Sequence, residues 1–370
     1  MAALRGAQLA PSKIMASKQT VHMNQGQGEI SYARNSSYQN AEQNRMKPLI
    51  EEAIIDLCSN TNTLLHGKMV IADLGCSSGP NALALVSTAV MAIHCRCLHL
   101  QQPPLEVCVL LNDLPDNDFS TVVKSLVTLR QSNEPVVVTG IIPRSFYERL
   151  FTSGSLNLVC SSCSLHWLSK VPEVLIRDHI PAYDIDEQAR RERLPMVHEA
   201  YAHQFKTDFT HFLKLRAKEL APSGRMIVSV IGRPSDGSTF EFFHIWEVIA
   251  QTLSIMVSEG VIDKEKFDSF YVPMYGPSSE EMRAIIQEEG SFSMREMQVW
   301  GPTTVTDDAL LTPTMFVNGM RAVFEPIIVQ HFGDVMDEFA RIGKQYWSLE
   351  GNLENMLAKD TMVAVSLTKA

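Results

Sequence analysis

Two acids and a run of small residues mark where this chain concentrates its chemistry: Asp73, Gly75-Cys76-Ser77-Ser78-Gly79, and Asp113. Small residues in series let backbone bend sharply or approach a ligand closely. Gly75 and Gly79 do not make the G-x-G-x-x-G of a dinucleotide site, which argues against nicotinamide or flavin chemistry. The same five residues match the G-x-S-x-G elbow of hydrolases, which would make Ser77 the nucleophile of an esterase with a later acid and histidine. A third chemistry is an S-adenosylmethionine site, with backbone closing on the methionine part and carboxylates meeting the amino group and ribose hydroxyls. A tight turn without a ligand is the plain alternative, since Asp at a strand end is often a turn former.

The elements that must position these residues read as β–α repetition. Met69 to Ala72 is a short apolar run of buried-strand length, with Asp73 at its carboxyl end. Pro80 opens a helix expected over Asn81 to Ile93. Further strands are expected at Glu106 to Asp113, Val136 to Ile142, Leu156 to Cys163, Arg225 to Ile231 and Thr361 to Leu367. Helices are expected at Gln39 to Asn60, Phe119 to Gln131 (capped by Asp118), Tyr201 to Leu220, Phe240 to Gly260, Glu280 to Glu289, Ala309 to Glu325 and Phe332 to Leu349. Val21 to Tyr38 and Tyr271 to Ser279 read as loops. This is the pattern of a doubly wound α/β sheet, whose ligands bind beyond the carboxyl ends of its strands. Asp73 and Asp113 then end neighbouring strands, an arrangement suited to a ligand with a cationic amino group and a vicinal diol. The organisation expected is a flexible extension over 1–20, a lid and Rossmann-like core over 21–232 with a cap insertion at about 170–198, and a mainly helical cap with a final strand over 233–370. A pocket between core and cap excludes water.

Composition narrows the classes. The chain has 370 residues, 45% of them apolar and 20% charged, the balance of a soluble globular protein. No apolar run approaches the ~18 residues of a membrane span. A net charge of −10 argues against a nucleic-acid partner. The seven cysteines are odd in number and sit in apolar or turn contexts, so reduced thiols in a cytoplasmic protein are expected. Cys160 and Cys163 have zinc or redox spacing without a second pair, and His94, Cys95, Cys97 and His99 read as a helix end rather than a metal site. The first fifteen residues are weakly basic without an apolar core for a secretory signal, and Met15 is an alternative start.

Collinear segments from His22 onward carry a family resemblance: HMNQGQGEISYARNS, IADLGCSSGPNAL, LNDLPDNDF, PRSFYERLF, SLHWLSKVP, GRMIVSVIGR, MVSEGVI and EEGSF. They resemble the plant SABATH family of S-adenosylmethionine-dependent carboxyl methyltransferases. The resemblance implies a Rossmann-like core with a helical cap, and a homodimer. It implies that Tyr32 and Ser36 close over the cofactor, that Asp73, Cys76 and Asn81 line its methionine side, and that Asp113 takes the ribose. Leu114, Ser145 and Phe146 would border the adenine. Gln39 and Trp167 match the pair that holds the substrate carboxylate, without a general base. His166, Ile231, Ile245, Trp246, Tyr275 and Met320 match substrate walls. Some members carry Mg2+ near the cap, which would place Asp178, Asp268, Phe270 and Tyr271 around it, although Asp178 and Tyr271 replace family Asn residues.

The chain departs from salicylate-type members at three places: Asn24 stands for Lys, Cys163 for Tyr and His166 for Met. The expected activity is methyl-ester formation on a small acid of salicylate, benzoate or anthranilate type, with jasmonate or indole-3-acetate behind. N-methylation of the caffeine branch, an esterase using Ser77, and a cofactor-binding protein without turnover are the other readings.

Overall fold

Seven strands form one sheet in the order β3-β2-β1-β4-β5-β7-β6. They are β1 (Lys68–Leu74), β2 (Glu106–Asp113), β3 (Val137–Pro143), β4 (Leu156–Ser162), β5 (Leu220–Gly232), β6 (Phe292–Trp300) and β7 (Thr361–Lys369). The computed structural model describes residues 21–59, 67–129, 136–235, 244–301, 312–349 and 361–370. β1 to β5 run parallel, whereas β7 is antiparallel to both β5 and β6. Parallel strands have both faces covered, which explains their continuous apolar runs.

Helices cover both faces. On one side α2 (Ser37–Ser59), after the short α1 (Tyr32–Asn35), and α3 (Ala84–His99) bury Met46, Ile50, Ile54, Val86 and Ile93 against Ile71 and Val109. α4 (Phe119–Leu129) follows, with Asp118 accepting from the Thr121 N–H at its start. On the other side α5 (Glu173–Arg177), α6 (Glu187–Glu219), α7 (His244–Ser258), α8 (Lys264–Asp268), α9 (Ser279–Glu289), α10 (Pro313–Phe332) and α11 (Met336–Trp347) contribute to the larger core. There Phe205, Phe209, Phe212, Leu253 and Phe324 meet Val228, Val230 and Val363. Pro80–His99 is, by length and composition alone, apolar enough to cross a membrane, a stretch the sequence reading passed over; it is a core helix here, with Leu85, Val86, Ala89 and Ile93 buried.

Several elements differ from expectation. α1 and the first residues of α2 lie within the stretch 21–38 read as loop, and the short α5 and α8 fall where no element was expected. α6 begins at Glu187, well before Tyr201, because Asp186 caps it and its first turns, EQARRERL, are polar and carry no apolar stripe. β5 begins at Leu220 with a shift of register before Arg225, so Pro222-Ser223-Gly224 lies within a bulged strand, with Ser223 at φ +58°. β6 was not expected: it is an edge strand with a register shift between Met294 and Glu296, which breaks the alternation that sequence reading relies on. The tail after β5 therefore supplies two strands to the sheet, not one. The extension over 1–20 and the helix ends placed at Asn60, Gln131, Phe240 and Ala309 lie outside the described residues.

Gly232 closes β5 at the sheet edge that faces the site. A Cβ there would stand 2.4 Å from the Pro277 carbonyl oxygen and 3.1 Å from Val363. Both are strand or loop backbone and packed core, which yield little. Gly232→Ala is expected to cost about 1–3 kcal/mol, read as a lower midpoint in thermal unfolding; an unchanged midpoint would show that the 273–277 loop moves freely.

Candidate active site

The Gly-rich turn is built by the register of β1 and β2. Leu74 stands opposite Asn112, so Gly75 and Cys76 emerge beside the end of β2 and donate their N–H groups to the Asn112 carbonyl. Gly75 lies at φ +77°, and a Cβ there would sit 2.3 Å from the Ser164 hydroxyl. Gly79, at φ +80°, has no room for a Cβ against Ala33. Both positions require glycine on conformational and steric grounds.

Beyond this turn lies a cavity of about 750 Å³. Of the residues implied for the cofactor, Tyr32, Cys76, Asn81, Asp113, Leu114, Ser145 and Phe146 line it. Asp73 and Ser36 do not; Asp73 is buried nearby and Ser36 accepts, through its carbonyl and hydroxyl, from the Asn81 amide at 2.8 and 2.9 Å. Asn40 donates to Asn81 Oδ1 at 3.0 Å, so the corner between α1 and α2 is fixed to the turn.

Both acids are buried and raised. Asp113 accepts from the Ser77 N–H at 2.6 Å and from the Leu114 N–H at 2.7 Å, yet burial lifts its pKa to about 6. Asp73 rises to about 8, first by burial and then by the charge of Asp113, and its Oδ2 has no partner among the described residues. A carboxylate pair in this condition is short of positive charge. A ligand with a cationic amino group and hydroxyls fits it.

The loop after β3, which carries Ser145 and Phe146 to the cavity, hangs on a buried ion pair. Arg216 and Glu219, one turn apart at the end of α6, are both fully buried and bridge at 2.7 Å. Arg216 donates to the carbonyls of Phe146 and Glu148, and Glu219 accepts from the N–H groups of Leu150 and Phe151. Tyr147 in the same loop donates to the Trp167 carbonyl at 2.8 Å, which ties this loop to the Trp167 wall of the cavity. In the sequence Arg216 and Glu219 stand beside Lys214 and Lys218 and look like ordinary charged helix residues, so nothing there marked the pair as buried.

Gln39 and Trp167 both line the cavity. The remaining residues implied for the substrate lie behind its surface or away from it. His166 is buried and, pushed to about 3 by burial, stays neutral. Ile231 and Trp246 are core residues of β5 and α7. Tyr275 spends its hydroxyl on Glu281 at 2.8 Å. Met320 packs from α10, and the side chain of Ile245 lies outside the described residues.

Cys163, at φ +51°, lines the cavity as a thiol that burial pushes up to about 12. Asn24 does not face it; its N–H and amide reach the carbonyls of Ala322 and Arg321, pinning the entry segment to α10. Gln43 and Ser164 are cavity residues that sequence reading missed.

The four residues suggested for Mg2+ do not make a donor set. Asp178 is held by Arg177 and Asp268 by Lys264, while the Tyr271 hydroxyl donates to the carbonyls of Leu175 and Ile180. Phe270 is packed in the core. Among the described residues no group of three or more His, Cys, Asp or Glu could hold a metal ion. Nor does Ser77 have a histidine partner there; its N–H serves Asp113, which leaves the nucleophile reading without a base. All seven cysteines are free thiols.

Sheet order, glycine turn and strand-end acids together define an S-adenosylmethionine-dependent methyltransferase. The chain belongs to the family of SAM-dependent carboxyl methyltransferases, the SABATH family, whose model matches residues 18–370. It is 38% identical to a jasmonate O-methyltransferase of Arabidopsis thaliana, over 88% of this chain and 94% of that protein. It is 37% identical to a 7-methylxanthine methyltransferase of Camellia ptilophylla, over 95% and 98% respectively. Among solved structures, a loganic acid methyltransferase with S-adenosylhomocysteine superposes with a TM-score of 0.81 at 28% identity, covering 94% of this chain and 98% of that one.

Two predictions follow from the electrostatics and the loop anchor. A cationic ligand binds the ionised form of Asp73, so binding at pH 7 is expected to release protons, up to about one per site, and to tighten as pH rises toward 8. Calorimetry of S-adenosylmethionine binding in buffers of different ionisation heat measures this; Asp73→Asn should remove the release and weaken binding. A Kd independent of pH between 6 and 8 would contradict it. Separately, Glu219→Ala leaves Arg216 buried without its partner and is expected to cost about 3–5 kcal/mol. Below the new unfolding midpoint, S-adenosylhomocysteine affinity should also fall; an affinity equal to that of the unaltered protein would remove the loop from the binding site.

Proposed function

We propose that this protein transfers a methyl group from S-adenosylmethionine to the carboxylate of a small acid of salicylate, benzoate or anthranilate type, giving its methyl ester. The observation that carries this reading is the pairing of Gln39 and Trp167 on one cavity with the strand-end acid Asp113. An indole N–H only donates, and an amide donates through its nitrogen, so both are suited to an anionic oxygen.

When bound, S-adenosylmethionine supplies a methyl group already activated by its positive sulfonium. A carboxylic acid of pKa ~4 is ionised at neutral pH, so the chain has no proton to remove. What remains is placement. Gln39 and Trp167 hold one carboxylate oxygen and leave the other free to attack. Asp113 on the cavity wall faces the cofactor's hydroxylated end and Asp73, buried beside it, balances its cationic end, and the walls around Phe146, Cys163 and Leu168 keep water from the reacting atoms. Fixing both reactants in line is the effect that a site of this kind contributes most.

A second reading, methylation of jasmonate or indole-3-acetate, is favoured by the Arabidopsis relative and by Cys163, whose small side chain widens the wall. The Camellia relative keeps N-methylation of a xanthine as a third.

Labelled S-adenosylmethionine, offered with benzoate, salicylate, anthranilate, jasmonate, indole-3-acetate and 7-methylxanthine, decides among them. Ester from one or two acids is expected. In Gln39→Ala and Trp167→Ala, kcat/KM for that acid should fall at least about tenfold, the effect of roughly 1.4 kcal/mol of lost positioning, while S-adenosylhomocysteine still binds. Cofactor binding without product from any acid would sink the proposal.

A further inference from the structure

The amides of α2 divide into two sets. Asn44 donates to Asn40 at 3.2 Å and Asn40 donates to Asn81 at 3.0 Å, so these two are satisfied within the protein. On the core side Glu42 accepts from the Trp300 indole N–H through Oε2 at 2.6 Å while its Oε1 has no hydrogen-bond partner among the described residues, and Met46 accepts from the Ser229 hydroxyl. Gln39 and Gln43 are the two amides of this helix that meet the cavity with an unpaired oxygen. Both line the cavity, and the Oε1 of each is buried without a hydrogen-bond partner. Gln43 is only 8% exposed.

A buried amide oxygen with no partner costs about 1–3 kcal/mol, and a leucine of similar size would wall the cavity without that cost. For Gln39 the carboxyl-methyltransferase reading gives the amide N–H a carboxylate to donate to, which explains an amide there although the carboxylate, itself an acceptor, leaves Oε1 unpaired. For Gln43 it does not. Residues four apart on a helix stand one above the other, with Cβ atoms about 5–6 Å apart. The two amides therefore form a ladder along the cavity wall.

Resting on the reading of Gln39 as a carboxylate contact, we propose that Gln43 determines specificity by accepting a hydrogen bond from a hydroxyl, amino or ring N–H that the acid carries about 5–6 Å from its carboxylate. On a benzene ring that distance corresponds to a meta or para substituent; the ortho groups of salicylate and anthranilate lie against the carboxylate itself and do not reach, so within that type of acid a ring bearing a meta or para donor is the preferred one. On an indole acetic acid it corresponds to the ring N–H. The physical effect is asymmetric. An acid with the donor removes the penalty on the Gln43 oxygen, whereas one lacking it leaves that oxygen unpaired in the closed site.

Matched acids test this. The pairs are 3- and 4-hydroxybenzoate against benzoate, and indole-3-acetate against naphthalene-1-acetate, with kcat and KM measured for the unaltered protein and for Gln43→Leu. The unaltered protein should favour the donor-bearing member of a pair by about tenfold or more in kcat/KM, a difference of roughly 1.4 kcal/mol. In Gln43→Leu that preference should vanish, with KM rising for the donor-bearing acid and falling for its partner. S-adenosylhomocysteine binding reports that the variant is folded, and Gln43→Met replaces it if it is not. Equal kcat/KM within each pair, or a preference retained in Gln43→Leu, overturns the proposal. Failure of the carboxyl-methyltransferase reading looks different: no ester from any acid while S-adenosylhomocysteine still binds.

Discussion

Two carboxylates buried side by side, with too little positive charge to hold them both, are the constraint around which this molecule is arranged. Asp73 and Asp113 end adjacent parallel strands, and among the described residues Asp113 is held by two backbone N–H donors. Their raised pKa values reverse the usual carboxylate contribution to stability. The folded protein holds the Asp73 proton up to about pH 8, whereas an unfolded chain loses it near 4. Ionising the pair therefore draws on folding stability as pH rises through that window, and a bound cation returns it. Preorganisation for a cationic ligand and a cost in the free protein are two views of the same pair.

What was legible in the sequence follows from how each element is buried. β1, β2 and β4 lie inside the sheet with much of their length buried, so their apolar runs and the turns between them could be read directly, and the run of β3 at the edge is apolar enough to be read as well. The first turns of α6 face solvent and have no stripe; β6 lies at an edge and carries a bulge. Those are the elements where periodicity fails for a physical reason. The strand-end acids were legible because topology alone carries Asp73 and Asp113 to one side of the sheet. Gln39 and Trp167 were not, since nothing in the pattern of α2 or of the loop after β4 marks them; they came from resemblance. Arg216 with Glu219, and Gln43 one turn after Gln39, required knowing which way the helices face.

One helix links the two halves of the site. α2 fixes the glycine turn through Asn40 and Asn81, reaches β5 through Met46 and Ser229, and presents Gln39 and Gln43 to the cavity. Its N-terminal approach is pinned by Asn24 to α10. Where salicylate-type members carry a lysine there, this chain uses the position as a tether.

The two ends of the cavity consequently solve the problem of an empty buried site differently. At the cofactor end Asp73 keeps a proton until a cation arrives, so it avoids burying an unpaired charge, which costs far more than burying an unpaired amide. Around Gln39 and Trp167 stand groups that carry no charge at physiological pH, two glutamines, an indole and a thiol, with an uncharged His166 behind them, while Lys170 and Glu173 line the same cavity. Neutral groups discriminate weakly by charge but sharply by whether each polar atom finds a partner. An acid is then accepted for its pattern of hydrogen-bonding atoms rather than for its charge alone, which is how members of one family with a common cofactor end can differ in the acids they take.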